Sequence, residues 1–168
     1  MANTAVTIRR ARPADAVAIV RMIAALCRQH QDPEGLFDLD HVKADLFGPQ
    51  ACLRGEVAAA GDAAIGVALW YPAYESAFAA RGAFVESLWV DEPYRRQGVA
   101  TALIAAVASA AEPGGATFLW WASKPGNEAA HATYASLGAS SERVFGHALV
   151  GAEFDAMVAR ARKKDRPT

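Results

Sequence analysis

Residues Asp91 to Ala106 read D-E-P-Y-R-R-Q-G-V-A-T-A-L-I-A-A. The run before them, Ala83–Val90, is A-F-V-E-S-L-W-V, with the length and the β-branched and aromatic content of a strand. From Gly98 or Val99 to Ala111 the chain is apolar and alanine-rich, as a buried helix is, and Pro113-Gly114-Gly115 stops it. The quoted stretch is therefore a strand-to-helix corner holding two arginines, a glutamine and a glycine. At such a corner the first N–H groups of the helix have no intrahelical acceptor, and the positive end of the helix dipole coincides with them. A pyrophosphate can accept several of these donors at once. Gly98 and Ala100 matter by what they lack, because larger side chains would hold a phosphate off the backbone. No Lys-Ser or Lys-Thr follows the glycine, and G-x-G-x-x-G is absent, so neither the P-loop nor the dinucleotide fingerprint applies. By itself R-x-x-G-x-A is a weak pattern, and a corner whose charges face water is the competing reading.

Outward from the corner, the chain alternates between the two structural periods. Val6–Arg10 reads as a first strand. A helix begins at Pro13 with Asp15 in its first turn, and Ile19, Val20, Ile23, Leu26 and Cys27 form its apolar stripe. Residues 31–35 make a loop, and Leu39–Phe47 a short helix closed by Gly48-Pro49. Strands are expected at Ala51–Ala60 and Ala64–Tyr74, joined through Gly61-Asp62, and again at Ala83–Val90. After the corner helix come a strand at Thr117–Ala122, a helix at Asn127–Leu137 capped by Gly138, a last strand at Glu142–Val150, and a C-terminal helix with a frayed basic tail. Consecutive strands in the middle call for antiparallel hairpins and the later alternation for a parallel crossover, so the fold class is mixed α+β.

At 168 residues the chain is long enough for one domain with a real core, expected over 1–168 with about 6–160 structured. A net charge of −1 gives no global attraction for nucleic acid or an anionic membrane, so any anion site is local. The apolar runs are too short to span a bilayer, and the N-terminus lacks the apolar core of a signal peptide. A cytoplasmic protein is expected. Cys27 and Cys52 show no metal spacing, and Cys27 reads as a buried structural thiol. His41, His131 and His147 form neither a triad nor a metal set. Trp70, Trp89, Trp120 and Trp121 fall on strands and read as core or cleft wall.

The segment V-E-S-L-W-V-D-E-P-Y-R-R-Q-G-V-A-T-A-L-I resembles the acetyl-coenzyme A motif of the GNAT superfamily of N-acetyltransferases, in which a strand leads through R/Q-x-x-G-x-G/A into a pyrophosphate-binding helix. A second family element, N-x-x-A-x-x-x-Y-x-x-x-G, is matched by Asn127, Ala130, Tyr134 and Gly138. The two lie in the family order with one strand between them. I-G-V-A-L-W-Y-P-A-Y-E-S followed by F-V-E-S-L-W-V is similar to the diamine branch, the spermidine/spermine acetyltransferases.

The resemblance implies the GNAT acyl-CoA N-acyltransferase fold: a central mixed, mostly antiparallel sheet flanked by helices. It also implies acetyl-CoA as co-substrate, no metal, a homodimer, and a small-molecule primary amine as acceptor, diamine- or polyamine-like or amino-acid-like. A non-catalytic acyl-CoA-binding module, or an enzyme acting on a protein N-terminus or lysine, are the rivals. Arg95, Arg96, Gln97, Gly98, Val99, Ala100 and Thr101 would hold the pyrophosphate. Leu88, Trp89 and Val90 would offer main-chain groups to the pantetheine arm, as to an added strand. Asn127 and Ala130 would touch the cofactor, although a plain helix cap explains Asn127 equally well. Tyr134 would protonate the leaving thiolate.

Glu86, two residues before Leu88 and so expected on the same face, would bind the acceptor first and take its proton second. The polyamine enzymes carry an acidic residue late in the first helix and another after the strand glutamate. Gln29 and His30 stand at the first place here and Ser87 at the second. Gln29 and His30 are then candidate acceptor contacts, and the missing carboxylates weaken the case for a multiply charged polyamine.

Overall fold

The computed structural model describes residues 5–164. Strands β1 (Val6–Arg10), β2 (Arg54–Ala60), β3 (Ala63–Glu75), β4 (Ala80–Val90) and β5 (Ala116–Trp121) form one sheet in the order of the chain. The first three neighbouring pairs are antiparallel and β4–β5 is parallel. Five α-helices accompany them: α1 (Ala16–His30), α2 (Leu39–Phe47), α3 (Val99–Ala111), α4 (Glu128–Ser136) and α5 (Ala152–Lys164). The fold class is the expected one, a mixed, mostly antiparallel sheet flanked by helices.

Side-chain alternation along the strands divides the core in two. On one face Val57, Val67 and Leu69 pack under α1 and α2 through Ile19, Met22, Ile23, Val42 and Leu46. On the other, Ala58, Ala68, Trp70, Ala83 and Val85 meet α3 through Val99, Leu103, Val107 and Ala111, a row of every fourth residue. Alanine elsewhere on α3 lets the helix lie close to the sheet, and Leu103 and Val107 are wholly buried. Truncating Leu103 to Ala would cost about 2–5 kcal/mol. Asp15 is held for structural reasons. It accepts a two-pronged bond from Arg9 at 2.7 and 2.8 Å and another from the Arg12 amide, and these hold its carboxyl below the usual range despite burial.

Several boundaries differ from the sequence expectation. A short 3-10 turn, Pro13–Asp15, precedes α1. β2 starts at Arg54 rather than Ala51, because Leu53 still bonds back to Asp45. β4 starts at Ala80, so the β3–β4 hairpin is long and turns through Ser76–Phe78. Cys27 is half-buried rather than buried.

The chain separates into two compact units, Met1–Leu137 and Gly138–Thr168. In the second, the strand expected at Glu142–Val150 is absent: residues 139–150 carry no strand or helix, and α5 follows. β-Branched and aromatic residues such as Val144, Phe145 and Val150 suit a pleated surface only when a neighbouring strand supplies the ladder, and among the described residues this segment has none. The basic run extends α5 to Lys164, and the tail residues 165–168 lie outside the described residues.

Candidate active site

The corner after β4 is tied down from behind. Asp91 receives a fork from Arg21 of α1 at 2.8 and 2.8 Å and the Trp89 indole N–H at 2.9 Å. Arg95 lies over the Trp89 ring at 4.7 Å and donates from Nε to the Val90 carbonyl at 2.9 Å. Gln97 donates from Nε2 to the Pro93 carbonyl. The Arg95 and Gln97 side chains thus brace the loop. What the loop leaves free is main chain. Arg96 (φ 61°) and Gly98 (φ 79°) are both left-handed, which turns successive amides toward one side. Among the described residues no backbone acceptor is found for the N–H groups of Arg96, Gln97, Gly98, Val99, Ala100 and Thr101; the first bond of the helix is Ala102 N–H to the Gly98 carbonyl. Around Gly98 a Cβ would meet nothing within 4 Å, so the approach to these donors is open. The buried Val99 side chain anchors the helix start to the sheet.

β4 has two halves. Up to Val85 it pairs with β3 on one side and β5 on the other; the β5 ladder ends at the pair Val85–Trp121. From Glu86 to Val90 only β3 remains, so among the described residues no strand pairs with the other edge of Leu88, Trp89 and Val90. Of its carbonyls, that of Val90 is engaged by Arg95. The unpaired edge and the open helix start are continuous along the chain. They fit the extended arm and the phosphates of a coenzyme A.

The change occurs at a β-bulge. Leu69 pairs with Ser87 and Trp70 with Val85, leaving Glu86 as the extra residue. Alternation shifts by one across it. Ala83 and Val85 face α3, and beyond the bulge Leu88 and Val90 face α3 as well. Glu86 therefore lies on the opposite face from Leu88, which corrects the expectation of a shared face. It points to the α1 side, where its charge, with those of Asp32 and Glu34, adds to burial in pushing the Cys27 thiol up. The bulge also lets the neighbouring Ser87 hydroxyl donate to the Glu86 carboxylate.

Of the two candidates at the end of α1, only His30 is brought to this side. It continues the inward stripe of Ile23 and Cys27 by one turn. Its Nε2 is buried without a hydrogen-bond partner among the described residues, while Nδ1 faces Asp32 at 4.0 Å. Gln29 is exposed, off that stripe. Gln31, left-handed at φ 58°, ends the helix. Lys124, from the loop after β5, caps the same end by bonding to the His30 carbonyl (2.6 Å) and Asp32 (2.7 Å).

Tyr134, on α4, sets its ring 5.1 Å from that of Trp121, the last residue of β5. Trp121 packs toward the α3 face. Tyr134 and Glu86 thus flank the point where β4 and β5 part, from opposite faces of the sheet. Burial pushes the Tyr134 phenol up, so it stays protonated, and its hydroxyl bonds to nothing among the described residues. Asn127 caps α4, accepting from the Ala130 amide at 3.3 Å, a structural task that leaves its amide nitrogen available. His131 bonds to Ser123 and His41 to Asp38, outside the cleft. Among the described residues no group of three or more His, Cys, Asp or Glu could hold a metal ion, and no helix is long and apolar enough to cross a membrane.

Three features of this region escape sequence reasoning: the bulge, Lys124, and the aromatic side chains of Tyr71, Phe84 and Trp120 beside Glu86. Each depends on strand register or on a contact between residues far apart in the chain.

The profile of the acetyltransferase (GNAT) family matches residues 19–139, more than half the chain. Thialysine N-epsilon-acetyltransferase from Bos taurus is 30% identical over 143 residues, covering 80% of this chain and 84% of that protein. Among solved structures, an integron cassette protein from V. cholerae superposes with a TM-score of 0.75 at 20% identity, over 91% of this chain and 97% of that one. An aminoglycoside N-acetyltransferase in complex with CoA gives 0.71 at 24% identity, over 86% and 94%. At these identities the two structures speak for the fold.

Proposed function

The chain belongs to the acetyltransferase (GNAT) family and is an acetyltransferase, and from that premise we propose that it moves the acetyl group of acetyl-CoA directly onto a primary amine of a small molecule, diamine-like or amino-acid-like. The observation that carries this reading is the row of main-chain donors from Arg96 to Thr101, open beside an unpaired strand edge. Hydrogen bonds to a charged group are worth about 1.5–3 kcal/mol each, so a few anchor a diphosphate. Bound there, acetyl-CoA supplies an activated carbonyl and a thiolate leaving group.

The protein's own groups then divide the work. Leu88, Trp89 and Val90 line the arm with main chain, and an N–H of this stretch polarises the carbonyl. Asn127 and Ala130 approach the cofactor from the start of α4. Glu86, oriented by Ser87, holds the incoming ammonium and relays its proton to water; His30 completes that wall. Freeing a primary amine at pH 7 costs about 4–5 kcal/mol, given a pKa near 10.4. A carboxylate stabilises the ammonium too, so binding precedes deprotonation in its role. The amine nitrogen bonds to the carbonyl carbon and the C–S bond breaks. The thiolate takes the phenolic proton of Tyr134, and the second proton of the former ammonium, lost from the nitrogen as the amide forms, returns to the phenolate through water, so that one proton is released overall. Transfer from phenol to thiolate is uphill, so Tyr134 stabilises the sulfur as charge develops on it.

In the same proposal one domain spans 1–168 and works in the cytoplasm as a homodimer, without a metal and without nucleic-acid or membrane partners. Thiol release from acetyl-CoA across an amine panel, with calorimetry of coenzyme A, tests the reading. Release with at least one amine is expected. A folded protein that gives no heat with coenzyme A would end it.

A further inference from the structure

Beside the bulge of β4 lies a row of aromatic side chains with no part in holding the donor. Strand register sets Tyr71 of β3, Phe84 of β4 and Trp120 of β5 abreast. The rings of Tyr71 and Phe84 stack with centroids 5.2 Å apart, and Trp120 meets Phe84 edge-on at 5.5 Å. Tyr71 follows Leu69 by two residues and so shares the α1 face. Helices α1 and α2, which pack on this face, do not cover the row: Tyr71 is 37% and Trp120 48% exposed. Large rings left open together on a sheet face mark a binding wall rather than a core. Along β4, Glu86 is the next residue on that face after Phe84, about 7 Å away at two strand rises.

The acidic groups around this wall are mostly engaged. Lys124 holds Asp32 at 2.7 Å and Arg28 holds Glu34 at 2.6 Å. Asp38 caps α2 and pairs with His41, and Glu75 caps the hairpin turn. Glu86 has no cationic partner among the described residues. A single free carboxylate adjoins the aromatic row.

Resting on the acetyl-transfer reading above, we propose that this row is the acceptor's side-chain subsite, and that the acceptor is a primary amine with one positive charge and a flat ring about two carbons from the nitrogen. The ammonium sits at Glu86 and the ring lies against Phe84 and Trp120, where stacked and edge-on contacts are both available. A linear diamine would set its second ammonium on this wall. The rings form a row and not a cage, so they give such a charge one face and no enclosure.

The test is kcat/KM, by thiol release from acetyl-CoA, for 2-phenylethylamine, n-butylamine and putrescine. The aromatic amine should lead both others by about tenfold or more. Trp120→Ala should collapse that lead to about twofold, through KM for the aromatic amine, and Trp120→Phe should restore most of it. Equal rates, a preference for putrescine, or a lead that survives Trp120→Ala would overturn the proposal. So would sedimentation showing that Trp120→Ala breaks an assembly while selectivity stays put, since a second copy of the chain would then cover the row. Turnover without ring preference rejects the subsite alone; no turnover of any amine by protein that binds coenzyme A rejects the transfer reading and the subsite with it.

Discussion

At the donor corner, Arg96–Thr101 present six main-chain N–H groups from one short stretch, while the side chains of Arg95 and Gln97 turn back to brace the loop. On the acceptor side the surface is made of side chains from four elements: His30 of α1, Tyr71 of β3, Phe84 and Glu86 of β4, and Trp120 of β5. The first arrangement needs a backbone shape and tolerates many side chains. The second depends on the identity and placement of every group. On the proposed reading, donor binding is generic and selectivity resides across the bulge.

Mutations test that division, and the largest effect belongs to the group placed between the two sides. Tyr134→Phe should lower kcat by about 10²-fold, the lower bound for a general acid, with calorimetry showing coenzyme A affinity within about twofold. Because burial raises the phenol, its ionisation should depress wild-type kcat only at a pH above that at which a free phenol ionises. An unchanged kcat in the Phe variant removes Tyr134 as the acid.

Gly98→Val tests the backbone. A β-branched residue at φ 79° costs about 1–3 kcal/mol, and coenzyme A should bind about tenfold or more weakly. Arg96→Ala should cost only about twofold, because the donor there is the amide. Equal losses would mean that side-chain charge, and not backbone shape, holds the diphosphate. Glu86→Gln addresses the other side. KM for the amine should rise about fivefold, the scale of an exposed ion pair, with KM for acetyl-CoA steady. A change confined to acetyl-CoA would move Glu86 out of the acceptor wall.

Much of the architecture is legible along the chain. β1 and α2 are expected at the residues they occupy, and α3 within one residue, because local signals bound them: Pro13 after β1, Asp38 and Gly48 around α2, Gly98 and Pro113 around α3. The same locality carries the donor corner, since a helix start creates free amides wherever it occurs. The expectation for Glu142–Val150 fails for the converse reason. Its β-branched and aromatic content is local, but a strand exists only with a partner, and composition does not supply one. Glu86 fails similarly. Strict alternation puts it with Leu88, and one inserted residue in the ladder with β3 moves it to the other face.

Read residue by residue, the chain specifies its family, its mixed sheet and the corner from Arg96 to Thr101, because backbone donors at a helix start follow from neighbours in sequence. Folding in three dimensions sets the bulge at Glu86, the pairing of Asp32 with Lys124, and the meeting of Tyr71, Phe84 and Trp120. The bulge and the aromatic row are set by strand register, which one residue of slip would reverse, and the Asp32–Lys124 pair by a contact between two loops; no local pattern encodes either.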